Sequence, residues 1–167
     1  MKVKLEKILD HQAIQHKVRR IAYQIYESNV NEQEIILAGI ADNGYKFAER
    51  LGMALEEISP LSITLCKVSM DKKKPLGTVK TSLTPQEYEN KSVVLIDDVL
   101  NSGTTLVYGV KHFLDVPLKR FKTAVLVNRN HKKFPVKADF KGISLSTSLN
   151  ESVNVIFRKG NDMAVLE

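Results

Sequence analysis

Val93-Val94-Leu95-Ile96-Asp97-Asp98-Val99-Leu100-Asn101-Ser102-Gly103-Thr104-Thr105 is the stretch on which the fold turns. Its first four residues, all β-branched or leucine, predict a strand covered on both faces. They run into two consecutive carboxylates, then into a loop of small hydroxyl residues around a glycine. A helix follows, with Val107, Val110 and Leu114 on one side and Pro117 marking its end. In open α/β sheets, ligands bind at the carboxyl ends of the strands. A loop of backbone N–H groups entering a helix is an anion site. Ser102, Thr104 and Thr105 add hydroxyl donors, and Gly103 lets the backbone approach a phosphate closely. Asp97 and Asp98 repel phosphate, so they suit sugar hydroxyls or a Mg²⁺ ion and its waters. A phosphate cradle beside two such acceptors suits a phosphorylated sugar. The plainer alternative is a strand-to-helix turn capped by Ser102 or Thr104.

Outward from this stretch, strands and helices alternate. Asp10 to Tyr26 carries Ile14, Val18, Ile21 and Ile25 at helical spacing, with Asp10 as its cap. Glu34 to Ile40 reads as a buried strand and Ala41 to Gly44 as a tight loop. A second helix is expected from Tyr45 to Ile58, its stripe made of Phe47, Leu51, Leu55 and Ile58 and its stop of Ser59-Pro60. Leu61 to Lys67 and Thr78 to Leu83 suggest two arms of a long hairpin whose tip, Met70 to Gly77, holds Lys72-Lys73-Lys74-Pro75. Ala124 to Val127 is another strand core, and Val153 to Phe157 suits a strand toward a sheet edge. The alternation predicts an α/β fold, residues 1–167 forming one domain around a mainly parallel twisted sheet flanked by helices.

Composition narrows the function. The 167 residues carry 25 Lys+Arg against 19 Asp+Glu, a formal charge of +6. Cys66 is the single cysteine, which removes intrachain disulfides and Cys-based zinc sites, and it is expected buried and inert. The four histidines lack metal-ligand spacing. With no apolar run long enough for a membrane span and no signal-peptide core, the expected compartment is the cytoplasm. Pro117 to Lys141 holds Lys119, Arg120, Lys122, Arg129, Lys132, Lys133, Lys137 and Lys141 against one acid, Asp139, which suits a polyanion or a solvated face. Neither a P-loop nor a G-x-G-x-x-G fingerprint occurs.

The stretch from Val93 to Thr105 resembles the phosphoribosyl-pyrophosphate motif of type I phosphoribosyltransferases. Ile8-Leu9-Asp10, Arg19-Arg20-Ile21-Ala22, Leu37-Ala38-Gly39-Ile40, Ala48-Glu49-Arg50-Leu51 and Pro135 to Gly142 extend the likeness toward the PyrR family of pyrimidine-operon regulators and uracil phosphoribosyltransferases. That resemblance implies a type I phosphoribosyltransferase fold with a flexible hairpin over the active site. The implied reaction is Mg²⁺-dependent transfer of ribose 5-phosphate from phosphoribosyl pyrophosphate to a nucleobase, by default uracil. The implied assembly is a homodimer. Asp97 and Asp98 would hold the ribose hydroxyls and the metal, and Asn101, Ser102, Gly103, Thr104 and Thr105 the 5-phosphate. Asp42, Asn43 and Gly44 would form the pyrophosphate loop, whose backbone is often cis in the superfamily. Lys67 and the hairpin lysines would approach the pyrophosphate, and Val127, Asn128 and Arg129 the base. Phe140 would be core or pocket wall.

Departures from the family pattern are concentrated at the site. Asp42-Asn43-Gly44 replaces Thr-Arg-Gly, Asn101 to Thr105 replaces Tyr-Thr-Gly-Arg-Thr, Asn128-Arg129-Asn130-His131 replaces Asp-Arg-Gly-His, and Thr147 to Glu151 replaces Thr-Ser-Arg-Ser-Glu. Three arginines are missing, and with them three planar donor forks. Two alternatives to the uracil enzyme therefore stand: a regulator that binds nucleotide or attenuator RNA with little catalysis, and a transferase for another base such as a purine.

Overall fold

The computed structural model describes residues 5–74, 76–148 and 150–167; Pro75 of the expected hairpin tip and Leu149 of the 147–151 segment lie outside them. Six strands form the main sheet: β2 (Glu34–Ile40), β3 (Ser62–Ser69), β4 (Lys80–Thr81), β5 (Ser92–Leu100), β6 (Arg120–Arg129) and β7 (Phe140–Leu145). Their order is β4-β3-β2-β5-β6-β7, with β4 antiparallel to β3 and every other neighbour parallel. The parallel strands need crossovers, and α1 (His11–Ser28), α2 (Asn43–Ile58), α3 (Pro85–Tyr88) and α4 (Thr104–Phe113) lie along the chain between strands. A separate antiparallel sheet, β1-β9-β8, joins β1 (Glu6–Leu9), β9 (Met163–Leu166) and β8 (Val153–Ile156).

Why helices cover both faces follows from the strand alternation. Ile35, Leu37, Val94, Ile96, Ala124 and Leu126 pack with Ile14, Ile21, Phe47 and Leu51 of α1 and α2. Ile36, Ala38, Val93, Leu95 and Val125 face the other way, onto Tyr88, Leu106 and Phe113 of α3 and α4. A run apolar at every position thus feeds two cores. Asp10 caps α1 as expected, accepting from the Ala13 N–H at 2.8 Å. Phe140 belongs to the first core.

The structure moves several expected boundaries. β5 does not stop at Ile96: its ladder continues through Asp97↔Val125, Val99↔Val127 and Leu100↔Asn128, because sheet pairing uses backbone groups whatever the side chain. α2 begins at Asn43, two residues before Tyr45. The returning hairpin arm is strand only at Lys80–Thr81. Val153–Ile156 leaves the main sheet altogether and forms an edge of the small one. β1, β7 and β9 were not expected; they are four to six residues long, too short to display a period.

Candidate functional site

Strands β2, β5 and β6 end on the same side of the sheet, and their last residues build the site. β5 delivers Asp97 and Asp98. Asp97 is only 3% exposed. Its Oδ1 accepts from the Asp98 N–H at 2.9 Å and lies 3.5 Å from the Lys72 ammonium of the hairpin. Burial and the adjacent Asp98 carboxylate push the Asp97 carboxyl well above its ordinary range, and Lys72 pulls against that rise.

The turn between β5 and α4 is built around Gly103, whose φ of 87° puts it in the left-handed region. A Cβ there would stand 2.6 Å from Val136 Cγ1, so conformation and space both require glycine. The N-cap residue Gly103 has no side chain to cap α4, and Ser102 Oγ accepts from the Thr104 N–H at 3.3 Å. The Ser102 and Thr104 hydroxyls also share a 2.8 Å contact, so Ser102 caps the turn as the plainer reading expects, through a long bond to one N–H. The turn, Asp97, Asp98, Lys72, Leu106 and Val153 surround a cavity of about 220 Å³. N–H groups and hydroxyls of the turn on one side, paired carboxylates on the other, can take an anion and sugar hydroxyls or a cation respectively.

β2 leads into the 41–44 loop. The Ala41–Asp42 peptide is cis, and Asp42 is exposed, making no side-chain cap. Asn43 Nδ2 donates to Asp98 Oδ2 at 3.2 Å and to the Val155 carbonyl of β8 at 2.8 Å. Gly44 packs against β5 so closely that a Cβ would meet the Ile96 carbonyl at 2.7 Å.

The remaining expected residues divide. Lys67 is exposed, with Nζ 5.6 Å from the Tyr45 ring centroid, and Lys72 is the lysine that reaches the carboxylates. Val127 is sealed in the core. Asn128, 8% exposed, gives its amide to Ser144 Oγ at 3.3 Å and leaves Oδ1 buried without a partner among the described residues. Arg129 is 5% exposed and bonds to Asn101 rather than lining the cavity. The basic run is split: Lys119 pairs with Glu32 and Arg120 bonds to the Ser28 carbonyl where β6 begins, Lys132 and Lys133 are exposed beyond its other end, and Lys137, also exposed, has returned alongside Thr123, whose hydroxyl donates to its carbonyl. A larger hollow, about 790 Å³, lies at that starting end among Glu34, Ser62 and Ser92. Both of its lysines are paired with acids, Lys91 with Glu34 and Lys119 with Glu32. Sequence reasoning missed Val153 and the Val155 carbonyl; nothing local to either marks it.

This arrangement is that of a phosphoribosyltransferase, and the chain belongs to the phosphoribosyl transferase domain family, whose pattern matches residues 4–157. Within that family it is similar to proteins named "Bifunctional protein PyrR". It is 36% identical over 160 residues to that of Bacillus subtilis (strain 168), covering 89% of this chain and 87% of the relative. For Streptococcus thermophilus (strain CNRZ 1066) the identity is 33% over 159 residues, covering 92% and 91%. Among solved structures, the hypoxanthine phosphoribosyltransferase of Trypanosoma cruzi matches with a TM-score of 0.75 at 17% identity, covering 89% of this chain and 84% of that one. A hypoxanthine-guanine phosphoribosyltransferase from Bacillus anthracis gives 0.72 at 20%, covering 90% and 87%. Those structures establish the type I fold. Among the described residues no helix is long and apolar enough to cross a membrane.

Proposed function

We propose that this protein is a Mg²⁺-dependent uracil phosphoribosyltransferase, forming UMP and pyrophosphate from uracil and phosphoribosyl pyrophosphate. The observation that carries the reading is the pairing of Asp97 and Asp98 with the Asn101–Thr105 turn around one cavity. In the reaction, a ring nitrogen of the base bonds to ribose C1. The C1–oxygen bond breaks, pyrophosphate leaves with the electron pair, and the base loses its N–H proton to solvent.

Each element has a physical task. The 101–105 turn holds the 5-phosphate through backbone N–H groups and the Ser102, Thr104 and Thr105 hydroxyls. Asp98, braced by Asn43, accepts from ribose hydroxyls together with Asp97. The 41–44 loop faces the leaving group, and Lys72 adds positive charge from above. The donor set fits Mg²⁺: two hard carboxylates lie side by side, and Lys72 already sets a cation against Asp97. Among the described residues no cluster of three or more ligating side chains exists, so substrate oxygens and water would complete the shell, as Mg²⁺ favours. When bound, the ion would neutralise charge growing on the pyrophosphate. Likeness to the PyrR proteins supports uracil as the base.

Incubation with phosphoribosyl pyrophosphate, Mg²⁺ and each nucleobase in turn tests this. UMP with stoichiometric pyrophosphate is expected from uracil. Product from a purine alone moves the specificity, and no product from any base removes the enzyme. A second reading, a regulator that binds RNA, draws on Lys132, Lys133 and Lys137, exposed on the β6–β7 connection whose Lys133 N–H bonds to the Ser102 carbonyl at 2.7 Å. Binding to pyrimidine-leader RNA that weakens with salt, with a slope shallower by about one unit per lysine removed, would support it.

A further inference from the structure

Arg129 ends β6 with a permanently charged side chain that is 5% exposed. Among the described residues no carboxylate lies within 4.0 Å of it: the ion pairs of the molecule involve other residues. Its partners are all neutral. Nη1 donates to Asn101 Oδ1 at 2.6 Å, Nε to Thr147 Oγ1 at 2.9 Å, and Nη2 to the carbonyls of Ser148, at 3.3 Å, and Glu151. These partners sit on two separate segments. Asn101 opens the turn assigned to the phosphate. Thr147, Ser148 and Glu151 lie on the β7–β8 connection, which leads directly into Val153, a wall of the same cavity.

A buried guanidinium without a counter-charge is expensive, and neutral acceptors offset the cost only in part. Here the cation lies one side chain behind the turn at the head of α4, whose residues 101–105 line the cavity. An anion on that turn would supply the missing negative charge without touching Arg129. The same fork fixes Asn101 relative to the β7–β8 connection, so the two sides of the cavity share one register.

We propose that Arg129 is a positioning residue of this site: its unneutralised charge raises the turn's affinity for a phosphate monoester, and its fork couples the turn to the Val153 wall. This rests on the phosphate assignment of the 101–105 turn made above. Asn101 is then read by its carbonyl toward Arg129, so the phosphate is left to the backbone and hydroxyls of residues 102–105.

Two variants separate charge from fork. Arg129→Met removes both; Arg129→Lys keeps the charge and loses the planar geometry. The probe is ribose 5-phosphate, followed by calorimetry at several salt concentrations. Arg129→Met is expected to bind it about tenfold more weakly or worse, with a flatter salt dependence, as loss of one nearby positive charge requires. Arg129→Lys is expected to keep the wild-type salt dependence and most of the affinity, while amide exchange in residues 146–153 speeds up. A merely structural role would change stability in both variants and leave the salt dependence of binding alone. If either variant fails to fold, Thr147→Val, which removes one bond of the fork, must still speed exchange at Asn101. Folded variants that bind ribose 5-phosphate with unchanged affinity and salt dependence, or no response at Asn101 in Thr147→Val, would overturn the inference. A wild-type protein that does not bind ribose 5-phosphate would instead overturn the phosphate assignment itself, and this inference with it.

Discussion

Replacing Asp97 with asparagine should make the protein more stable and less able to bind its substrate. Asp97 is 3% exposed and stands beside Asp98, so its charged form lacks both water and an undisturbed counter-ion. The exchange keeps what the geometry needs. An asparagine Oδ1 can still accept the Asp98 N–H now bonded at 2.9 Å, and its new N–H group faces the Asp98 carboxylate, where protonated Asp97 would otherwise donate. The loss is the 3.5 Å contact with Lys72, whose side chain is 44% exposed and contributes little. Relieving a functional site of this kind typically returns about 1 to 2 kcal/mol. For a chain of this length that is a rise in Tm of roughly 2 to 8 °C.

The pH dependence has a definite sign. The folded-state pKa of Asp97 lies above the unfolded value, so native protein holds this proton where unfolded chain has released it. The stability that the group contributes is therefore complete below the unfolded pKa and is lost as pH rises through the raised folded one. Asparagine does not titrate. The two proteins should melt within about a degree of each other in acid and diverge as pH rises, reaching a plateau above the folded pKa. Thermal unfolding from pH 4 to 8 measures this, and titration with phosphoribosyl pyrophosphate and Mg²⁺ should show about ten- to a hundredfold weaker binding. A variant less stable than wild type at neutral pH, or an offset that does not change with pH, would refute the burial argument.

Gly103→Ala forces a side chain onto a residue with φ 87° and a 2.6 Å approach to Val136; urea unfolding should show a loss of about 1 to 3 kcal/mol, with weaker ribose 5-phosphate binding. Asp162, 1% exposed, accepts from Arg50 at 3.2 Å and Gln15 at 3.0 Å and so ties the β8–β9 turn to α1 and α2. Asp162→Ala should cost about 3 kcal/mol in the same assay. Asn43→Arg restores a donor fork beside the leaving group, and steady-state kinetics should show kcat rising by up to about a hundredfold while UMP affinity stays nearly constant, because UMP carries no pyrophosphate.

Much of this site was legible because its pieces are local in sequence. Apolar runs before Asp97 and before Ala41 marked strands, and small residues after Leu100 marked a turn that only glycine can make; backbone sterics and periodicity write such features into neighbouring residues. The pairings across the chain left no such trace. Asn43 meets Val155, and Arg50 meets Asp162, each 112 residues away, through contacts that any polar residue type would have suggested equally. The basic run from Lys119 to Lys141, which suits a polyanion or a solvated face alike, is the opposite case. Its members are neighbours in sequence, but β6 is ten residues long and at about 3.3 Å per residue carries its two ends some 30 Å apart.

The missing arginines acquire a different meaning once these contacts are known. Sequence alone counts Asn43 as a lost cation near the pyrophosphate. In the structure its amide is committed to Asp98 and to the β8 backbone, so it holds a carboxylate in place without neutralising it. An arginine there would do both. With a neutral brace, the negative charge of the acid pair is left to Lys72 and to whatever cation arrives with the substrate. Arg129, the arginine retained in the Asn128–His131 segment, is buried behind the 101–105 turn. Positive charge is thus thinned both in the 41–44 loop and in the 101–105 turn, and Arg129 behind the turn and Lys72 beside Asp97 remain. The Asn43→Arg kinetics and the ribose 5-phosphate titrations should therefore be read together: under the proposed function the first reports the leaving-group side, the second the side that both substrate and product share.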